Sequence, residues 1–247
     1  MTGILLEIAA NSIESALAAE AGGADRIELC DNLEHGGTTP SYGTIAIARE
    51  RLQIPIHVLI RPRSGNFIYT EAEREVMLYD VENCLRLGCD AVVFGALDAE
   101  AGVDKEFCRT MRVASGHMSL TFHRAFDLCA APEQSLEDII TLGFERILSS
   151  GLADSASLGQ TQLASMVHRA DKRIRIMAGA GIKPGNLATL LAASGVTEVH
   201  ASASGPYCRT MHEERKDQRK LHGLAPDFLE TQLQVVRALR QVLDQLA

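Results

Sequence analysis

The sequence predicts a single-domain (β/α)8 barrel, and three observations carry the prediction. The first is a recurring corner in which a helical segment ends, a glycine follows, and a short apolar strand begins two or three residues later. It occurs at Gly22-Gly23, Gly88, Gly143 and Gly195. The glycine supplies the left-handed residue that closes a helix, and the apolar run after it reads as a buried parallel strand. The second is the alternation of eight apolar runs with eight helical ones, which favours a closed barrel over an open doubly wound sheet. The third is length: 247 residues match one such barrel.

The elements follow in order. Strands are expected near 4–9, 26–30, 55–61, 91–97, 118–124, 146–150, 174–179 and 198–203. Helices are expected near 12–21, 41–51, 71–87, 104–115, 133–142, 157–169, 184–193 and 226–245. Several helices carry start signals: Asn11-Ser12, Thr70 with Glu73, Pro132 and Pro184. No linker or low-complexity stretch interrupts 1–247, so the chain reads as one domain. Two connections are long and polar, 31–42 with His35-Gly36-Gly37, and 204–226 with Arg209, His212, Glu213, Glu214, Arg215, Lys216 and Asp217. Both follow strands, on the face where such barrels assemble their chemistry. Each reads either as a lid or as a solvated mixed-charge loop.

A net charge of -8 argues against a nucleic-acid or anionic-membrane surface, and no apolar run is long enough to span a bilayer. The N-terminus enters a strand almost at once, with no basic region or signal-peptide core, which predicts a cytoplasmic protein. The six cysteines, Cys30, Cys84, Cys89, Cys108, Cys129 and Cys208, form no C-x-x-C pair and read as free thiols.

Strand parity assigns the lumen. If the uniformly apolar set faces the helices, the lumen receives Glu7, Arg26, Glu28, Cys30, His57, Arg61, Thr121, His123, Ile147, Ser149, Glu198, His200 and Ser202. An apolar core has no reason to collect carboxylates, arginines and histidines. Buried charge is costly unless paired, so these groups form either a structural salt-bridge layer or a site. Arg26, His57 and Glu198 suit the layer. His123, Glu7, Glu28, Arg61 and Arg124 suit acid–base and anion-clamping roles. The stretch Thr121-Phe122-His123-Arg124-Ala125-Phe126-Asp127 concentrates this chemistry at one strand end.

Gly179 and Gly181 after the seventh strand, Ser202 after the eighth, and Arg63 suggest a cup for an oxyanion such as phosphate. The bland alternative is a tight strand-to-helix turn. No lysine falls in the inferred lumen, which argues against a Schiff-base aldolase. For metal, Cys30, His123 and His200 form a soft set suited to Cu(I) or Zn, while histidine with Glu7 and Glu28 suits Zn or a harder ion. No H-E-x-x-H motif supports either.

The segments Glu7-Ile8, Ala24-Asp25-Arg26-Ile27-Glu28-Leu29-Cys30, Gly36-Gly37-Thr38-Thr39-Pro40-Ser41, Ile60-Arg61-Pro62-Arg63, Thr121 to Asp127, Met177-Ala178-Gly179-Ala180-Gly181 and Glu198-Val199-His200 resemble the CutC family in order and spacing. The resemblance spans nearly the whole chain. It implies a cytoplasmic TIM barrel, a homo-oligomer, and an association with copper homeostasis, with Cu(I) bound through Cys30 and a neighbouring imidazole such as His200. The lumenal residues themselves favour a rival expectation, an enzyme acting on a small phosphorylated or carboxylated metabolite through His/Glu acid–base chemistry. A scaffold with a vestigial site is the third.

Overall fold

The computed structural model describes residues 3–206 and 229–246. Eight parallel strands close into a barrel: β1 (Leu5–Ala10), β2 (Arg26–Leu29), β3 (Ile56–Leu59), β4 (Ala91–Phe94), β5 (Ser119–Phe122), β6 (Arg146–Ser149), β7 (Arg175–Ala178) and β8 (Glu198–Ala201). Closure is made by β1 pairing with β8, with Leu5 opposite Glu198 and Glu7 opposite His200. The helices are α1 (Ile13–Ala21), α2 (Tyr42–Arg51), α3 (Glu71–Leu87), α4 (Lys105–Ala114), α5 (Pro132–Thr141), α6 (Gln160–Ala170), α7 (Pro184–Ser194) and α8 (Leu233–Gln245).

The expected start signals operate. Ser12 accepts from the Ser15 amide at the head of α1, and Thr70 with Glu73 forms a reciprocal capping box at the head of α3. Gly88 and Gly195 close α3 and α7 in the left-handed conformation. The main core lies between barrel and helices. Its members include Leu6, Ile8, Ile27, Leu29, Val58, Ile60, Phe94, Leu120, Phe122 and Val199. Each such side chain removed from water contributes roughly 1.5–3 kcal/mol. Because alternate residues of a strand face opposite ways, this outer shell leaves the lumen to the polar set.

Two expectations are corrected. The sixth strand has the opposite parity: Ile147 belongs to the barrel–helix core, while Arg146 bonds Glu198 inside the barrel. Apolarity misassigned it because a buried ion pair compensates Arg146. Ser149 accordingly leaves the lumen and donates to Asp127. The last helix begins at Leu233 rather than 226. Before it, β10 (Leu229–Thr231) pairs antiparallel with β9 (Ser204–Pro206). The polar residues expected in a lid, Arg209 to Asp217, lie outside the described residues, as does Cys208. Among the described residues, no helix is long and apolar enough to cross a membrane.

Candidate functional site

The lumen holds two storeys. The lower one is an ionic floor. Arg26, 3% exposed, donates Nε to Glu7 and one terminal nitrogen to Glu198. Arg146 donates to Glu198 and to the hydroxyls of Ser119 and Thr121. Arg26 and Arg146 thus meet Glu7 and Glu198 in a buried layer, with the exposed Arg175 reaching Glu198 at 3.4 Å, and the pairing is what makes the burial tolerable.

Glu7 is wholly buried in this floor. Burial acts to raise its pKa, but Arg26 with the imidazoles of His200 and His57 outweighs it and holds the carboxyl well below its usual range. Glu7 therefore remains a carboxylate and is not among the residues lining the cavity above it. It accepts from His200 Nδ1 at 2.7 Å and so orients that ring. The other nitrogen, Nε2, lies 3.8 Å from Glu28 Oε2. Burial lowers the His200 pKa, yet Glu28 and Glu7 prevail and raise it.

Above the floor opens a cavity of about 990 Å³. Glu28, Arg61, Phe67, His123, Arg124, Gly181, Lys183, His200, Ser202 and Ser204 are among its lining residues. Glu28 is pushed up to about 7 by burial and by Glu7, against the pull of His200 and Arg26. A carboxyl poised there exchanges a proton readily at neutral pH.

His123 is 5% exposed, and its Nδ1 accepts from the Ala125 amide at 3.2 Å. Burial, followed by the Arg61 charge, lowers its pKa to about 3. The ring is neutral, with its proton on Nε2. At neutral pH this favours donation of a hydrogen bond from Nε2 over uptake of a proton. Glycine at position 95 makes room for the ring, since a Cβ there would lie 2.7 Å from His123 Nδ1.

Arg61 is fixed by the carbonyls of Gly37, His35 and Gly65 and stacks over Phe67. Arg124 lines the cavity and pairs with Asp127. Gly179 is not among the residues lining the cavity, and a Cβ there would lie 2.5 Å from Leu148 Cδ1. Ser202 Oγ and Ser204 Oγ are 3.0 Å apart.

The loops after β7 and β8 bring together Gly181, Lys183 and Ser202. Ala180 and Ala203 take left-handed conformations there, with φ 75° and 47°. For alanine that backbone is strained, and such strain clusters at ligand clamps. The structure does not bring Arg63 to this group. Its guanidinium is bonded to Glu73 and to the carbonyls of Ser64, Asn66 and Ile68, outside the cavity.

Lys183 and Phe67 were missed from the sequence. Lys183 follows the strand-seven glycines directly, and that adjacency was the available signal. Phe67 had none, because it reaches the lumen from the loop after β3.

Cys30 stands apart. It packs with Leu59 and Val93, and its Sγ faces the Ala10 carbonyl at 3.7 Å. Burial, then the negative charges of Glu28, Asp31 and Glu34, push the thiol well above its usual range. A metal-binding thiolate requires the reverse. Among the described residues, the one group able to converge on a cation is Glu7, Glu28 and His200. Two carboxylates and an imidazole are a poor match for Cu(I), which prefers sulfur. Glu7 also has both oxygens engaged, one by Arg26. The donor set does not fit Cu(I).

A family model described as the CutC family matches residues 4–205. The chain belongs to the CutC family. A CutC family protein of Xanthomonas campestris pv. campestris (strain 8004) is 50% identical over 238 residues, covering 96% of this chain and 98% of that protein. One from Chromobacterium violaceum is 49% identical over 242 residues, covering 97% and 98%. A solved CutC structure from Streptococcus agalactiae, whose assignment to copper homeostasis is provisional, superposes with a TM-score of 0.78. Its identity is 34%, with coverage of 81% of this chain and 98% of that one. The barrel and the CutC family membership expected from the sequence are both borne out.

Proposed function

We propose that this CutC-family chain is an enzyme acting on a small phosphorylated metabolite by acid–base chemistry, with Glu28 as the group that moves the proton. One observation carries the reading: a carboxyl titrating near neutrality faces a roomy cavity whose rim supplies Lys183, Ser202 and strained loops suited to an oxyanion. Arg61 and Arg124 add positive charge around a carboxylate or phosphate. Thermal unfolding tests the binding half. sn-Glycerol 3-phosphate is expected to raise Tm where glycerol does not, and at 100 times Kd the gain is about 2.7 kcal/mol. Lys183→Ala is expected to weaken that binding roughly tenfold, the size of one charge-assisted contact. Equal responses to the two compounds would sink the reading.

The copper reading is supported by the name of the Streptococcus agalactiae relative. Against it stand the raised thiol pKa of Cys30 and the oxygen-rich donor set. In an anaerobic competition titration, Cys30→Ser is expected to leave Cu(I) affinity unchanged. Tight stoichiometric binding that disappears in the variant would restore copper as this chain's ligand. The cytoplasmic location and the homo-oligomer belong to the same proposal. Exposed Tyr42, Ile47, Val76 and Tyr79 on the neighbouring helices α2 and α3 support self-association, which sedimentation velocity measures.

A further inference from the structure

Two nitrogens against one aromatic ring lack a well-aligned partner. His123 Nε2 and Arg61 Nε are both buried and make no well-aligned hydrogen bond, the buried Tyr69 hydroxyl being the polar neighbour of the Arg61 guanidinium. The Phe67 ring stands 4.8 Å from the His123 ring and 4.9 Å from the Arg61 guanidinium carbon. All three residues line the cavity that contains Glu28. Neither donor is free to turn away. His123 is held through Nδ1 by Ala125, and Arg61 through its terminal nitrogens by three carbonyls. Fixed, buried, unsatisfied donors are rare because they are costly, and those at a cavity wall are matched to an acceptor that arrives with the ligand.

We propose that His123 and Arg61 bind the carbonyl oxygen of a phosphorylated hydroxy-carbonyl substrate, and that Glu28 moves a proton at the carbon beside that carbonyl. The inference rests on the phosphate-site reading above and adds the second half of the substrate. Because neither nitrogen is exposed, the oxygen reaches them as the Phe67 ring is displaced. The Glu28 carboxylate takes the C–H proton. The C–H electron pair becomes the new C=C bond, and the carbonyl π pair moves onto oxygen. The negative charge on that oxygen is met by the Nε2–H of neutral His123 and by the Arg61 guanidinium. Glu28 then returns the proton to the former carbonyl carbon, the proton of the neighbouring hydroxyl passes to the former carbonyl oxygen, and the aldose–ketose isomer results. No electron is gained or lost overall, so no co-reactant is needed. His200, oriented by Glu7, lies 3.8 Å from Glu28 and acts on it through its charge.

The test is α-proton exchange in D2O, followed by proton NMR, with dihydroxyacetone phosphate, glyceraldehyde 3-phosphate and ribulose 5-phosphate as probes. Wild-type protein is expected to accelerate exchange of at least one probe more than about 10³-fold over buffer. Glu28→Gln is expected to lose the acceleration while the probe still raises its Tm. His123→Phe is expected to lose it at least tenfold. Arg61→Lys, which keeps the charge but lacks the Nε–H, serves where His123→Phe fails to fold. Probes that raise Tm yet exchange at the buffer rate overturn this inference and leave the phosphate reading standing, and so does exchange indifferent to Glu28→Gln. If no probe raises Tm, the phosphate reading itself falls and carries this one with it.

Discussion

Arg26→Met is expected to destabilise the barrel by about 3–5 kcal/mol, the usual consequence of removing one member of a buried ionic network. Arg26 is the hub of the floor, bonded at once to Glu7 and Glu198 and touching the Met177 sulfur. Methionine roughly fills the space and supplies no charge. Glu198 keeps Arg146 and Arg175, but Glu7 keeps only the imidazoles of His57 and His200. Urea unfolding at pH 7 measures the loss. Adding Glu7→Gln to Arg26→Met is expected to recover part of it, because the carboxylate left without its guanidinium is then gone. A loss under about 1 kcal/mol would show that the floor is not a tightly coupled network.

Glu28→Gln is expected to act in opposite directions on stability and on proton transfer. The Glu28 pKa is about 7 in the fold, above the ordinary carboxyl value of 4.5. Between those values the folded chain holds a proton that the unfolded chain has released. Stability contributed by this group is therefore full below about pH 4.5 and falls as pH rises towards 7. Above 7 the ionised carboxylate weakens the fold by roughly 3 kcal/mol. The groups facing it, His200, Glu7 and Arg26, are included in that balance. Glutamine removes the penalty. The variant is expected to melt higher than wild type at pH 8 and alike at pH 4. Equal melting at both values would mean that the Glu28 carboxyl titrates normally.

Most of the barrel was legible in the sequence because its signals are local. A glycine at a helix end and the apolar run after it lie within ten residues of each other. Parity then sorted side chains into lumen and shell for Glu7, Glu28, Arg61, His123 and His200. What parity does not carry is height. Glu7 and Glu28 both point inward, but strand tilt and stagger put one in the floor and the other at the cavity. The Arg26–Glu198 pair spans 172 residues, and no local pattern announces it. The same blindness placed Arg146 outside the lumen. Cys30 shows a further limit: an inward cysteine beside a glutamate looks like a ligand in sequence, and only its apolar neighbours Leu59 and Val93 reveal a thiol held protonated.

The ionic floor also has a kinetic meaning. Arg26, Arg146, Glu7 and Glu198 are all buried and fill the lumen below the cavity. On the proposed enzymatic reading, a product formed above this plug leaves by the face through which its precursor entered. Accumulated product then competes directly with incoming substrate, and initial-rate inhibition is competitive.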